Sequence, residues 1–252
     1  MTAASLAVAK YYDHAAQSYE DKYLRTEYYR TLYRKVGEVL DKYISAGMRV
    51  LDIGAGTGFW TAYMAKRGAK VVALDISPES VKRCRCEDKV VGDAAMPSAK
   101  AGRFDAVTAL GSVYNHVGDL DNALRRISHA VKKGGLLIAD IDNALCLDML
   151  YEYLLFQGLG KLKEALAKGR VAGVWESIDG EIPFYYYTYF SVRSALRGAG
   201  FKIVEARPIY LMPLLPTRIL QRSFKTKFLE KLDLLKPLAP LATTIIYVAK
   251  KL

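Results

Sequence analysis

The stretch that most constrains this chain is VLDIGAGTGFW, Val50 to Trp60, where an apolar run passes into three glycines at alternate positions and then into an amphipathic segment. The run before the glycines has the continuous hydrophobicity of a strand buried on both faces. Gly54, Gly56 and Gly58 permit a tight turn and leave bare backbone at the N-terminal end of the next helix, where a ligand can lie against it. A strand, loop and helix in this order belong to a sheet with helical crossovers. The dinucleotide spacing G-x-G-x-x-G would need a small residue at position 59, which here is Phe59. The run is G-x-G-x-G behind Asp52, and that favours another ligand.

The surrounding sequence repeats the same grammar. Arg49 to Ile53, Lys70 to Leu74, Lys89 to Val91, Phe104 to Leu110 and Leu136 to Ile141 read as strands, with Phe59 to Arg67, Pro78 to Cys84 and Leu120 to Val131 as helices between them. Before them, residues 1–45 carry Tyr, Leu and Val at helical spacing and form an expected helical cap. After Asp142 the alternation breaks: Ala144 to Ala167 reads as a helical insertion, and Ile182 to Phe190 as a Tyr-rich approach to a helix over Ser191 to Arg197. Gly198 and Gly200 end that helix, and Phe201 to Tyr210 and Thr243 to Ala249 read as the last two strands. The expectation is one domain over 1–252, with a core of 46–142 and 188–252, a lid over 143–187, and a basic amphipathic insertion over 213–240.

Composition narrows the class. At 52% hydrophobic and 25% charged residues the chain has ample core for one α/β domain, and no apolar run reaches the length of a spanning helix. The N-terminus lacks the basic start of a secretory signal, so a cytoplasmic location is expected. Cys84, Cys86 and Cys146 fit neither a disulfide framework nor a four-ligand zinc site, and no metal is expected. Net charge is +11, and residues 201–252 hold ten Lys or Arg against three acids. Such a region is either a solvated face or an attractor for an anionic membrane surface or nucleic acid.

With these motifs in order, the chain resembles the class I S-adenosylmethionine-dependent methyltransferases of the small-molecule type, whose first motif is an acid followed by G-x-G-x-G. Asp75 ends the second strand where the family places an acid against the ribose hydroxyls, and Asp93 follows the third, where it places one near the adenine amino group. Gly111 to His116 resembles the loop after the fourth strand, and Tyr189 to Phe201 the last helix leading into the sixth. The resemblance implies an α/β fold with a doubly wound, mostly parallel seven-stranded sheet, helices on both faces, an N-terminal helical cap and an inserted helical lid. It implies S-adenosylmethionine as cofactor, held by Asp52, Gly54, Ala55, Gly56, Gly58, Asp75, Ile76, Asp93, Ala94 and Gly111. Tyr12 and Tyr19, on a helix that many members lay over the cofactor, would meet its methionine end, with Arg30 and Arg34 as further candidates for the carboxylate.

Methyl transfer needs alignment and exclusion of water, and a base where the acceptor is protic. His116 is the first candidate for that base and His14 the second, while His129, followed closely by two lysines, reads as a surface residue. Asp142 and Asn143 either orient an acceptor or cap the next helix. The expected acceptor is a small molecule, with a lipid-like or quinone-like one presented at an anionic membrane surface as one option. Nucleic-acid methylation is the alternative suggested by the basic C-terminal region; the absence of an N-P-P-Y-like motif after the fourth strand weighs against it. A non-catalytic cofactor-binding scaffold is the third reading.

Overall fold

A computed structural model describes residues 2–18, 27–97, 99–177, 180–211 and 236–252. Seven strands form one sheet: β1 (Arg49–Ile53), β2 (Lys70–Asp75), β3 (Lys89–Val91), β4 (Phe104–Ala109), β5 (Val131–Asp142), then β8 (Phe201–Ile209) and β9 (Thr244–Lys251). Their order is β3-β2-β1-β4-β5-β9-β8. The five from β3 to β5 run parallel, and β9 lies antiparallel to both β5 and β8. Strand order reverses between β1 and β4, the crevice where open α/β sheets bind ligands beyond the carboxyl ends of their strands.

Side chains alternate across the strands, so each face buries its own layer. Leu51, Ile53, Leu137, Ala139 and Ile141 pack with Leu124 and Ile127 of one helix (Leu120–Ala130) and with Val192 and Leu196 of another (Tyr189–Gly198). On the other face Val50, Ala106, Ile138 and Ile246 meet Val36 and Leu40 of the helix Glu27–Tyr43, and Trp60 and Met64 of the helix Phe59–Ala65. The doubly wound architecture expected from the sequence is therefore present.

The segment 143–187 departs from its expectation as an inserted helical lid. Leu147–Glu152 and Leu159–Lys168 are α-helices flanking a π-turn at Tyr153–Gln157, but β6 (Arg170–Ser177) and β7 (Gly180–Tyr187) then pair as an antiparallel hairpin. The Tyr-rich approach is strand β7. Its β-branched and aromatic residues flank Asp179-Gly180, a turn signal that Gly173 and Pro183 within the flanks obscured. Of the segment 213–240, residues 213–235 lie outside the described residues, and Lys236–Leu241 is a short 3-10 helix.

Asn143 neither orients an acceptor nor caps the helix Leu147–Glu152. Its amide donates to the carbonyls of Pro240 (2.7 Å) and Ala242 (3.0 Å), and its side-chain oxygen accepts from Leu145 N–H (3.1 Å). The cap is the Cys146 sulfur, accepting from Met149 N–H at 3.4 Å. Asn143→Ala leaves buried carbonyls without donors and is expected to lower the unfolding free energy by about 2 kcal/mol, read as a lower urea midpoint with unchanged slope.

Candidate cofactor and acceptor site

A cavity of about 450 Å³ opens at the carboxyl end of the sheet, floored by the glycine loop and bordered by the ends of β2, β3 and β4. The N-terminal helix α1 (Ala3–Ala15) roofs it, contributing Ser5, Val8 and Tyr12 to the lining. The loop has its shape for steric reasons. Gly54 has φ +66°, and a Cβ there would stand 2.3 Å from a methyl of Val113, so a side chain is excluded both by conformation and by space. A Cβ on Gly56 would meet nothing, which places bare backbone against the cavity.

Asp75 ties the loop to the next element. One carboxylate oxygen accepts from Gly56 N–H and the other from Ser77 N–H, each at 2.8 Å. Burial raises its pKa, and the Ser77 and Gly56 bonds oppose that rise. Asp93 accepts from Ala95 N–H (2.8 Å) and from the Ser5 hydroxyl of α1 (2.6 Å). Asp13, also on α1, accepts from the Ser77 hydroxyl (2.6 Å) and Glu79 N–H (3.1 Å), so the roof is bonded to two of the loops beneath it.

At the far end of the cavity stands His116, in the 3-10 turn Val113–His116 after β4. Its Nδ1 lies 3.1 Å from the Pro183 carbonyl of β7, and its Nε2 lies 2.9 Å from the Tyr12 hydroxyl. A carbonyl can only accept, so Nδ1 carries the proton and Nε2 accepts from Tyr12. Burial lowers the His116 pKa to about 4, against which the Pro183 bond is the weaker influence. The imidazole is therefore neutral at neutral pH.

Gly54, Ala55, Gly56, Asp75, Ile76, Asp93, Ala94, Gly111, Tyr12 and His116 all line the cavity. Three expected residues do not. Asp52 is buried beneath the loop, accepting from the hydroxyls of Thr61 and Thr108 at 2.7 Å each, so it clamps the helix Phe59–Ala65 and β4 to β1. Gly58 is the left-handed cap of that helix, packed on Cys84. His14 is exposed on α1, away from the lining. Tyr19 lies outside the described residues, and Arg34 is an exposed partner of Glu38. His129 is exposed, as its sequence neighbourhood suggested.

Tyr185, in the Tyr-rich stretch whose aromatics the sequence offers as a wall for an apolar or planar substrate, lines the cavity, while sequence reasoning passed over Asn115. The buried Asn115 amide donates to the carbonyls of Asp142 (3.2 Å) and Tyr185 (2.7 Å), and its oxygen accepts from Asp142 N–H (3.0 Å). It thereby joins the His116 loop to β5 and β7. Asp140 fixes the start of the same loop, accepting from Gly111 N–H (2.8 Å) and Ser112 N–H (3.1 Å), and burial pushes its pKa up to about 7.

Comparison with known proteins gives the family. A family model described as a methyltransferase domain matches residues 23–206. The chain belongs to the class I S-adenosylmethionine-dependent methyltransferases. An uncharacterized protein of Methanocaldococcus jannaschii is 31% identical over 205 residues, 79% of this chain and 78% of that one. A ubiquinone biosynthesis O-methyltransferase of Xanthomonas axonopodis is 37% identical over 107 residues, which is 39% of this chain and only 44% of the relative. Among solved structures, an S-adenosylmethionine-dependent methyltransferase of Methanosarcina mazei aligns with TM-score 0.61 at 17% identity, covering 85% of this chain and 97% of that one. The Burkholderia thailandensis 1,6-didemethyltoxoflavin-N1-methyltransferase, solved with its acceptor and S-adenosylhomocysteine, aligns with TM-score 0.58 at 18% identity over 100% of this chain and 91% of that one.

The residues present suit the methyltransferase cofactor. Each Asp75 oxygen spends one lone pair on backbone and keeps another, the acceptor pair that two ribose hydroxyls require. Asp93 offers acceptors at the neighbouring loop, and the bare Gly56 backbone admits a ligand close to the chain. We expect Asp75→Ala to weaken S-adenosylhomocysteine binding by about 1–3 kcal/mol in titration calorimetry; unchanged affinity would remove Asp75 from the site. Because the folded protein disfavours the His116 imidazolium, its ring proton resonances should titrate with a midpoint near 4, well below the usual value of about 6.5, when followed by NMR.

Proposed function

We propose that this methyltransferase acts on a small, uncharged, protic acceptor of aromatic, quinol-like character, with Tyr12 and His116 receiving the acceptor's proton. The observation that carries the reading is the hydrogen-bonded chain from Tyr12 through His116 to the Pro183 carbonyl, set in the cavity wall. S-adenosylmethionine, when bound, supplies an electrophilic methyl, so the protein's work is alignment, exclusion of water and handling of a proton.

The Pro183 carbonyl holds the imidazole in the tautomer whose Nε2 is an acceptor. Tyr12 can therefore take a proton from a substrate hydroxyl while passing its own to Nε2 across the 2.9 Å bond; burial disfavours the imidazolium this forms, so the proton moves in concert with methyl transfer and the imidazolium is short-lived. Phe184 stacks edge-on to the imidazole, with ring centres 5.1 Å apart, and keeps water from that side.

The charge of the lining supports an acceptor without an anionic group. Beyond Asp75 and Asp93, assigned to the cofactor, its described residues include Asp119 but neither Lys nor Arg, so a carboxylate or phosphate would find no cationic side chain among them. Aromatic side chains at Tyr12, Tyr33, Phe59, Trp60 and Tyr185 suit a planar ring. The partial relatives that methylate oxygen in ubiquinone biosynthesis, and the neighbour that carries a bound heteroaromatic acceptor, agree with this class. Contact with an anionic membrane rests on the sequence of 213–240 alone, and the described residues include no helix long and apolar enough to cross a membrane. The nucleic-acid alternative rests on the same basic region.

Screening phenols, quinols, aromatic amines, carboxylates and structured RNA by mass spectrometry should find methylation in the uncharged aromatic set. With that acceptor, His116→Asn should lower kcat by about 100-fold or more while S-adenosylhomocysteine affinity stays near wild type. Full activity in both His116→Asn and Tyr12→Phe would contradict the relay, and methylation of RNA alone would overturn the acceptor class.

A further inference from the structure

We propose that Cys84 and Cys86 form an oxidisable dithiol that closes to a disulfide with hydroperoxides and thereby loosens the cofactor loop. Sequence spacing gave these residues no role, but the fold gives them one. Both are free thiols, and their sulfurs stand 2.8 Å apart at the end of the helix Pro78–Arg83. The Lys89 ammonium donates to the Cys84 carbonyl at 2.7 Å and so stands beside the pair.

The two sulfurs differ in access. Cys84 is buried, and burial, with the neighbouring Cys86, pushes its pKa up to about 12, so it keeps its proton. Cys86 is half-buried and is the sulfur that an oxidant reaches. Its sulfur attacks one oxygen of the hydroperoxide, the O–O bond breaks, an alcohol or water leaves with the thiol proton, and a sulfenic acid remains. The Cys84 sulfur then attacks the Cys86 sulfur, and the sulfenic hydroxyl departs as water with the Cys84 proton. Two thiols give up two electrons to one peroxide bond.

The consequence for the site follows from what Cys84 touches. A Cβ on Gly58 would lie 2.6 Å from the Cys84 sulfur and 3.5 Å from its Cα, so Cys84 fills the space beside the left-handed residue that starts the helix Phe59–Ala65. Cys84 N–H also bonds to the carbonyl of Ser80, which lines the cavity. A disulfide needs its sulfurs at about 2.05 Å, and drawing Cys84 towards Cys86 takes support from both.

The test uses the whole protein, with S-adenosylhomocysteine affinity measured first on the reduced form. After treatment with hydrogen peroxide, trypsin cleavage at Arg85 should yield two short peptides joined by a disulfide, lighter by two hydrogens than their sum. Affinity should fall about fivefold or more and return with dithiothreitol. Cys86→Ser should bind as the reduced wild type does and resist the treatment. Oxidation to sulfinic acid without linkage, or linkage with unchanged affinity, would overturn the proposal.

Discussion

Almost everything at the site hangs on one buried carboxylate. Asp75 ends β2 and binds Gly56 N–H on one side and Ser77 N–H on the other. Those bonds hold the glycine loop and the start of the next helix in fixed relation, and they repay part of the cost of burying a charge. Asparagine, with a single acceptor oxygen, would leave one of the two backbone donors unmet, and an apolar side chain would leave both. The residue suited to meeting ribose hydroxyls is thus the residue that shapes the loop around them, so binding and local structure are not separable here. Asp52 does similar work one layer down, where each oxygen accepts a hydroxyl, from Thr61 and from Thr108, and burial beneath the loop keeps it from the cavity.

The roof is the second organising feature. Helix α1 is fastened to the sheet's loops by polar links at Ser5, Tyr12 and Asp13, and to the hairpin by the Trp175 indole donating to Tyr11 at 3.2 Å. Val8, Tyr11, Ala15 and Ile182 supply an apolar seam of their own. Hydroxyl and carboxylate contacts of this kind release more cheaply than core packing, which suits an element covering a site that must exchange its ligand. Tyr12 belongs at once to the roof and to the proposed proton relay, so that relay is complete only with the roof in place.

How much of this the sequence disclosed follows from range. The strand and glycine loop of Val50 to Trp60 are local, and the expected bounds of β1 and β3 coincide with the observed ones. The residues lining the cofactor end are near neighbours of those motifs and were legible with them. His116 was legible as a loop histidine, but its partners were not: Tyr12 and the Pro183 carbonyl lie 104 and 67 residues away in the chain. The hairpin was missed because its strands carry Gly173 and Pro183, both unfavourable in strand interiors, and its pairing is decided by packing rather than propensity. His14 shares a helix with Tyr12 but faces solvent, a difference of two positions that helical periodicity permits and sequence alone does not resolve.

The central claim is that the Asp75 loop holds the cofactor beneath α1 while its reacting end faces the Tyr12 and His116 pair. A crystal structure with S-adenosylhomocysteine and an uncharged phenolic acceptor tests this most directly. The account predicts both ribose hydroxyls on Asp75, the adenine beside Asp93, α1 closed, and the acceptor oxygen within hydrogen-bond reach of Tyr12. Ribose bound elsewhere, or an acceptor oxygen directed away from Tyr12 and His116 with α1 closed, would contradict it.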